Sequence, residues 1–586
     1  MREKGFFYAD QTAMQHEFQL AEAYFQQYPD EVKIRREQWR RLYQTNPPKH
    51  SYLHFGKKVI ALATKENRRD AEHRIGFGAF GAVKYGVDRH GHLYAVKIEK
   101  TNNEAQQKET QANLDLGLMA DPKIMRTSGT GQEKYYSSLL YLGDSLDKKL
   151  RFESPWNLEQ KKNIARKIAW QVHQLHSGKL SENGTGYAHF DIKPDNITID
   201  EHGRVRLIDY GFAQSVNTPI TELTGSSAYW PSLHVEQYHT AKQEGDQSTA
   251  DHYAQEILQT MQNIGPMGTD LFACKRSLYM ADPDKSADAC LFSDAEYQQL
   301  SPELHDMLQT GGPQAEHEFH HALQQKTSAL DIAYGFSAEK LSPALRQQIQ
   351  SSEDRAAVCE LFALLDQLEE WDGMPTPFKQ DLVSRYEERI AAAQSLTTIA
   401  RVHQELEELT QCLSLLTQIA TYRVGYTDRA MQDFIDEHAR KLYSGDFADP
   451  KMKQTLSAAL QAVQSDEMMY VQARLAKWTQ QMQRPTRFQA LLGSPKRLQA
   501  KINTVESAVH TVPLLERKHI LTNKDQRACR TVQSYCKDQY LKNTRKQARE
   551  GAKPIPKESL RDRYKSRLRS SEKTIVGHGS EHFRPH

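Results

Sequence analysis

The spacing of apolar residues changes along the chain and predicts segments of different kinds. Residues 10–45 carry apolar side chains at steps of three and four, as at Phe18 and Ala21, which predicts an amphipathic helix. Short runs rich in β-forming residues begin near residue 59 and end near residue 142. Beyond about residue 300 only helical periodicity remains. The pattern therefore predicts an N-terminal helix, a domain that contains a sheet, and a helical region.

The middle of the chain alternates between strands and helices. A hairpin turn is expected at residues 88–91, and an amphipathic helix at residues 159–176. The predicted strands lie at residues 59–62, 75–83, 94–98 and 135–142.

The helical second half contains one apolar seam in alternating steps of four and three, formed by Val402, Leu406, Leu409, Leu413 and Leu416. Two heptads do not establish a coiled coil, so an antiparallel bundle is favoured and an oligomerising coil is the alternative. The chain is expected to divide into four parts. These are an N-terminal helical extension (residues 1–50), a central domain (51–305), a helical bundle (306–510), and a basic helix with a flexible tail (511–586).

Composition limits the functional classes. The net charge of +2 over 586 residues is not a nucleic-acid signature, although residues 541–586 hold 13 Lys and Arg against 5 Asp and Glu. That tail is expected to be solvated, with weak contact to an acidic membrane surface, nucleic acid or a secretion signal as alternatives. The six cysteines are scattered and are typical of reduced thiols.

The sequence has no signal-peptide core at its N-terminus and no run of about 18 apolar residues. These features predict an intracellular protein without a membrane-spanning segment, or one that is exported without a cleaved signal.

A glycine motif opens the central domain. Gly76, Gly78 and Gly81 form a G-x-G-x-x-G pattern, which by itself also marks dinucleotide-binding folds. Those folds need a helix at the third glycine, whereas β-forming residues continue past it here. A glycine-rich hairpin can lie over a triphosphate because its backbone amides reach the oxygens without a Cβ in the way. The apolar residues expected to complete this nucleotide site are Ile75, Phe80, Val83 and Ala95.

Lys97 lies on the next predicted strand, where its ammonium can meet the α- and β-phosphates. A carboxylate from the following helix is needed to hold it. Glu104 and Glu109 are the candidates, and Glu109 is favoured because a few residues are needed to close the strand-to-helix loop.

A second motif occupies residues 189–196 and contains Asp191, Lys193 and Asn196, with Asp209 after a short apolar hairpin. Phosphoryl transfer to a hydroxyl needs such parts. One carboxylate aligns the nucleophile, a cation neutralises the γ-phosphate, and an amide with a second carboxylate holds the metal.

In this order, the motifs resemble those of the eukaryotic-type Ser/Thr protein kinases over roughly residues 60–300. The resemblance implies an α+β fold with a β-rich first lobe and an α-rich second lobe. It also implies use of ATP and Mg²⁺ and a protein substrate that accepts phosphate on Ser or Thr. By this resemblance Asp191 is the base, Lys193 contacts the γ-phosphate, and Asn196 and Asp209 hold Mg²⁺.

The same resemblance assigns three further features. Leu140 and Leu142 belong to the hinge that contacts adenine, which is similar to the hinge of the casein-kinase-one branch. Residues 224–229 resemble the segment that binds the substrate peptide. Residues 189–196 resemble the family's catalytic loop, and Asp251 opens a helix expected to anchor the backbone of this loop.

The sequence departs from the family pattern at two positions, and the pattern also fades after Asp251. Phe190 replaces an arginine that in the family grips a phosphorylated activation segment, which here would be residues 209–232. Ser232 replaces a glutamate. Neither change removes a catalytic atom. An active kinase is therefore favoured over a kinase-fold scaffold that acts through its helical half, and over a small-molecule phosphotransferase.

The helices beyond residue 305 are expected to offer a surface to a protein partner. The Gln-rich helical additions also resemble those of eukaryotic-like kinases that intracellular bacteria inject into host cells. This resemblance would place the protein in the host cytosol.

Overall fold

A computed structural model of the chain describes residues 4, 6–8, 11–34, 36–43, 50–55, 58–64, 74–78, 81–101, 103–119, 124–127, 133–152, 156–280, 290–310, 316–371, 374–421, 429–444, 451–461 and 479. The chain divides into two compact units. The first comprises residues 1–366 and 388–402, and the second comprises residues 367–387 and 403–586.

The first lobe of the first unit is built on an antiparallel sheet in the order β1-β2-β3-β5-β6-β8-β7, with β4 paired to β5. The strands are β1 (Lys33–Ile34), β2 (Ser51–Phe55), β3 (Lys58–Leu62), β4 (Arg74–Gly78), β5 (Gly81–Asp88), β6 (Leu93–Glu99), β7 (Ile124–Thr127) and β8 (Glu133–Leu140). The predicted strands are confirmed, with the glycine motif divided between β4 and β5.

The hairpin between β5 and β6 turns where the sequence predicts it. The Asp88 side chain accepts hydrogen bonds from the backbone amides of His90 at 2.8 Å and His92 at 3.0 Å. Gly91 supplies the left-handed conformation of the turn, with φ of 89°. The turn fixes the register that places Lys97 opposite Val83 of the glycine hairpin.

The N-terminal helices α1 (Gln11–Gln27) and α2 (Arg36–Tyr43) pack on this sheet. Phe18 and Trp39 share a buried cluster with Tyr52 and Tyr85 of the strands. Each such side chain contributes about 1.5–3 kcal/mol through burial. The prediction of helical structure within residues 10–45 is confirmed, although β1 divides it into two helices.

The second lobe is mainly helical. It follows α3 (Glu104–Asp115), the helix of the first lobe. Its short strands are β9 (Asp144–Ser145), β10 (Tyr187–Ala188), β11 (Ile197–Ile199), β12 (Val205–Leu207) and β13 (Gln214–Ser215). Its helices are α4 (Leu146–Phe152), α5 (Leu158–His176), α6 (Val235–Glu244), α7 (Gln247–Leu278), α8 (Asp294–Tyr297), α9 (Pro302–Leu308), α10 (Glu316–Gln324), α11 (Ala329–Ala338) and α12 (Pro343–Arg346). Helix α7 is kinked at Gly265, before Pro266.

The core of the second lobe surrounds α5. Ile168 and Val172 of α5 are fully buried in one cluster with Leu207, and Ile332 and Phe336 of α11 belong to the same cluster. The expected boundary at residue 305 therefore falls inside this core. A β-rich lobe followed by helices is the bilobal α+β fold that the resemblance implied.

The remaining described helices are α13 (Ser352–Glu369), α14 (Thr376–Ala392), α15 (Leu396–Thr421) and α16 (Arg429–Tyr443), and residues 452–461 are also helical. The α15 seam residues Leu406, Leu409, Leu413 and Leu416 are at most 5% exposed within one copy of the chain. Their burial favours a bundle over an oligomerising coil. Across the described residues, every helix is too short or too polar to cross a bilayer. The predicted basic tail at residues 511–586 lies outside the described part.

Candidate active site

A cavity of about 540 Å³ lies between the two lobes of the first unit. Most residues predicted to bind the nucleotide line it: Ile75, Gly76, Gly81, Val83, Ala95, Leu140 and Leu142. Gly78 pairs with Gly81 at the end of the β4–β5 hairpin. Phe80 lies outside the described residues.

Lys97 lies in this cavity among three carboxylates. Its Nζ is 2.5 Å from Glu109 Oε1, 3.4 Å from Asp209 Oδ1 and 3.8 Å from Glu99 Oε1. Glu104, the other candidate, is exposed and pairs with Lys108 instead. The structure thus places Glu109 beside Lys97, and it adds Glu99, which was not predicted.

Burial and charge act in opposite directions on Lys97. Desolvation alone would lower its pKa, but the carboxylates of Asp209 and Glu109 outweigh that effect and the pKa is raised. Burial raises the pKa of Glu109, and Lys97 opposes this rise. Lys97 is therefore held as a cation that faces the cavity.

The catalytic loop brings three predicted residues together. Asp191 Oδ2 accepts hydrogen bonds from Lys193 Nζ at 2.8 Å and from Asn196 Nδ2 at 2.8 Å. Asn196 Nδ2 also donates to the Asp191 carbonyl at 2.9 Å. This network fixes the Asp191 carboxylate, which is only 5% exposed.

Ser226 joins this group from the activation segment. Its hydroxyl accepts a hydrogen bond from Lys193 Nζ at 2.6 Å, and its backbone N–H donates to Asp191 Oδ1 at 2.9 Å. Ser226 lies in the segment 224–229 that the sequence assigned to peptide binding, but its contact with the base was not predicted.

Gly225 allows this close approach. Its φ is 82°, and a Cβ at this position would lie 1.9 Å from the carbonyl oxygen of Phe190. Only glycine fits both the backbone conformation and the space. The activation segment can therefore pack directly on the catalytic loop.

The backbone of the catalytic loop is anchored by Asp270, and the prediction of Asp251 for this role is wrong. Asp270 Oδ2 accepts from the His189 amide at 2.6 Å, and Oδ1 accepts from the Phe190 amide at 2.7 Å. Asp251 is exposed near the start of α7 and contacts Gln247. Both residues belong to α7, and the kink of this helix at Gly265 lies between Asp251 and Asp270.

Comparison with known proteins agrees with this geometry. Residues 69–261 match the family described as the protein kinase domain. A mitogen-activated protein kinase kinase kinase 1b of Physcomitrium patens is 30% identical over 174 residues, which cover 28% of this chain and 21% of the relative. The cAMP-dependent protein kinase type 3 of Saccharomyces cerevisiae is 28% identical over 167 residues, covering 26% of this chain and 39% of the relative.

The chain contains a eukaryotic-type protein kinase domain. A third relative, the human serine/threonine-protein kinase MRCK gamma, is 28% identical over 173 residues, which are 28% of this chain and 11% of that protein. The chain thus spans less than half the length of each of these relatives.

The kinase domain offers oxygen ligands where Mg²⁺ is expected. Asp209 and Asn196 both line the cavity, and the Asn196 amide nitrogen is used toward Asp191, which leaves its oxygen as the ligand atom. The described residues contain no cluster of three His, Cys, Asp or Glu that could hold a metal. Two protein ligands nevertheless fit Mg²⁺, because this ion takes one or two carboxylates plus substrate phosphates and water.

Phe190 takes the place of the family's arginine with an apolar contact. It is buried in a cluster that contains Ile220 and Trp230 of the activation segment and Ile257 and Met261 of α7. The Trp230 indole also donates to the Thr224 carbonyl at 2.7 Å. The activation segment of this kinase domain is therefore packed against the catalytic loop by apolar side chains.

Proposed function

We propose that the chain is an active Ser/Thr protein kinase that transfers the γ-phosphate of ATP to protein hydroxyls. The observation that carries the proposal is the position of Lys193. Its Nζ donates to Asp191 Oδ2 at 2.8 Å and to Ser226 Oγ at 2.6 Å. One cation thereby joins the carboxylate that would accept the proton and the segment that would hold the peptide.

Each group has a distinct task in this reaction. Lys97, held by Glu109, would bind the α- and β-phosphates of ATP. Asp191 would orient the acceptor hydroxyl and accept its proton, and Lys193 would stabilise the transferred phosphate. Asn196 and Asp209 would hold Mg²⁺, which supplies neutralisation of phosphate charge when bound.

A protein substrate is favoured over a small molecule by the activation segment. Ser226 contacts both catalytic-loop residues, and Gly225 packs on the Phe190 carbonyl. A phosphotransferase for small molecules has no need of an ordered peptide-binding segment at the base. A scaffold without catalysis has no need of the Lys97–Glu109 pair or of the Asp191 network.

The proposal is tested with the purified full chain, labelled ATP, Mg²⁺ and a mixed protein substrate such as casein, followed by phosphosite mapping. We expect phosphate on Ser and Thr. Asp191→Asn should lower the rate by roughly 10²–10⁴-fold, as for positioned acid–base groups, and Asp209→Asn should lower it at least as much.

Asp251→Asn is the matched control, because it removes an exposed carboxylate that does not touch the cavity. Its rate should equal that of the wild type. Wild-type rates in both Asp191→Asn and Asp209→Asn, or phosphotyrosine as the main product, would contradict the proposal. Export into a host cell, and a location in its cytosol, stay predictions.

A further inference from the structure

The second lobe contains another cavity, of about 400 Å³, formed by α5, α7 and residues 309–329. Its volume is within the range of small-molecule sites. One part of the wall is apolar and comprises Ile264, Met267, Leu271, Phe272, Ala322 and Leu323. The mouth adjoins the kink of α7, where Met267 is half-exposed.

Lys275 of α7 contributes a buried ammonium to this wall. The residue is only 3% exposed. Among the described residues, its ammonium has one hydrogen-bond partner, Gln325 Oε1 at a long 3.4 Å, and no ion-pair partner. Buried charges in proteins are normally paired and fully hydrogen-bonded, so none of the described residues supplies the partner that burial of Lys275 requires.

The charges around Lys275 also favour an anion. The lining holds two lysines, Lys275 and the exposed Lys326, and it contains no Asp or Glu. Its histidines add no net positive charge, because burial lowers the pKa of His173 and His176 pairs with Asp270. The nearest acidic influence is Asp306, which Gln325 contacts at 2.9 Å. Burial lowers the pKa of Lys275 from 10.5 to about 8, because the attraction of Asp306 does not offset desolvation. A negative group inside the cavity would offset the unfavourable free energy of burying the Lys275 ammonium.

We propose that this cavity binds a small amphipathic carboxylate, with its carboxylate against Lys275 and its apolar body against the Ile264–Leu323 wall. One buried ammonium matches the single charge of a carboxylate. A phosphate monoester carries about −1.5 to −2 charges at neutral pH and would bring excess charge into the cavity. The site is separate from the nucleotide cavity, and the proposal does not depend on the proposed kinase reaction.

Titration calorimetry of the full chain with three probes distinguishes the contribution of the carboxylate from that of the apolar body. The probes are octanoate, octanol and inorganic phosphate. We expect octanoate to bind with a stoichiometry of one. Octanol, which has the same apolar body without the charge, should bind at least about tenfold more weakly. Inorganic phosphate, which has no apolar body, should not bind.

Lys275→Met should weaken octanoate binding at least about tenfold and leave octanol binding unchanged. Lys326→Met, which removes an exposed cation of the same cavity, is the matched control and should change octanoate affinity by less than about threefold. Leu323→Trp fills the cavity and should abolish octanoate binding, so the test remains valid if Lys275→Met does not fold.

Absence of octanoate binding to the wild type would overturn the proposal. Equal octanoate affinity in Lys275→Met and the wild type, or unchanged binding in Leu323→Trp, would also overturn it. Binding of phosphate that is lost in Lys275→Met would overturn the carboxylate assignment.

Discussion

Asp270 holds the backbone of Phe190 in a left-handed conformation. Its Oδ1 accepts the Phe190 amide hydrogen bond at 2.7 Å, and Phe190 has a φ of 61°. A bulky residue seldom adopts such a φ, which costs on the order of 1–3 kcal/mol. Asp270 is fully buried and also contacts His176 Nε2 at 2.9 Å. The conformation of the catalytic loop therefore depends on a carboxylate about 80 residues away in sequence.

Asp270→Asn should lower both stability and catalysis. One carboxylate oxygen becomes an NH₂ group that cannot accept the loop amides, and hydrogen bonds to charged groups contribute about 1.5–3 kcal/mol. We expect a comparable loss in the free energy of unfolding and a fall in kcat of at least about tenfold. Denaturant unfolding and steady-state phosphorylation would measure these effects. A loss with Asp251→Asn instead would show that the anchor is misassigned.

Glu109→Gln should reduce catalysis far more than Glu104→Gln. The first change removes the negative charge that lies 2.5 Å from Lys97 Nζ, whereas Glu104 is exposed and contacts only Lys108 among the pairs described. Misplacement of a binding group by about 1 Å can cost on the order of 10²-fold in rate. We expect that scale for Glu109→Gln in kcat/KM for ATP. Equal rates in the two variants would mean that Lys97 needs no helix carboxylate.

Kinase activity should survive phosphatase treatment of the full chain. The Phe190 cluster already packs the activation segment on the catalytic loop, and a phosphate on an exposed residue would gain only about 0–1 kcal/mol from screened charges. The measurement compares the activity of mock-treated and phosphatase-treated protein. A fall to background after treatment would show that a basic residue elsewhere replaces the missing arginine.

Phe190→Ala should destabilise the kinase domain by about 3–5 kcal/mol, because a buried aromatic ring is removed from the cluster. Phe190→Leu is the matched control and should lose much less, since it keeps an apolar side chain in the same space. Protease sensitivity within residues 215–229 reports whether the activation segment has detached. Unchanged sensitivity in Phe190→Ala would contradict a role of the ring in packing the segment.

Lys275→Met should stabilise the protein at neutral pH. The fall in the pKa of Lys275 from 10.5 to about 8 corresponds to about 3 kcal/mol of unfavourable burial, so we expect a gain of about 1–3 kcal/mol at pH 7. Below pH 8 both folded and unfolded forms hold the proton, and the gain is constant. Between pH 8 and 10.5 only the unfolded form holds it. Wild-type stability then rises with pH, and the gain should shrink.

Calorimetric unfolding of both proteins between pH 7 and about pH 10 checks this dependence. Lys326→Met, at an exposed position, should show no such trend. A loss of stability in Lys275→Met at pH 7 would mean that the ammonium is well solvated or paired.

The catalytic residues were easier to predict from the sequence than the residue that anchors the catalytic loop. Asp191, Lys193 and Asn196 lie within six residues of one another, so local spacing is enough to group them. The position of Asp270 beside the catalytic loop depends on the kink and length of α7. An acidic residue near the start of the same helix, Asp251, was therefore mistaken for the anchor. An acidic residue beside the apolar run 271–274 was the available clue for Asp270.

Other features required tertiary information. Apolar and polar residues alternate little along β2, so its sequence does not identify it as a strand. It pairs with β3, and residues of both strands are buried in one cluster with residues of α1 and α2. The extent of the second-lobe core depends on α11, which packs with α5 although the two helices are separated by more than 150 residues. Lys275 is indistinguishable in sequence from an exposed helical lysine, because its contact with Gln325 and its place in the cavity wall arise from tertiary packing.

The apolar cluster around Phe190 also determines which physical conditions affect the segment. An arginine–phosphate pair weakens as ions screen it, with a Debye length of about 8 Å at physiological ionic strength. A phenyl ring packed among Ile220, Trp230 and Met261 carries no charge to screen. Its stabilising effect instead weakens on cooling, because burial of apolar surface is driven mainly by entropy near room temperature. The packing of the activation segment on the catalytic loop should therefore tolerate salt and be sensitive to cold.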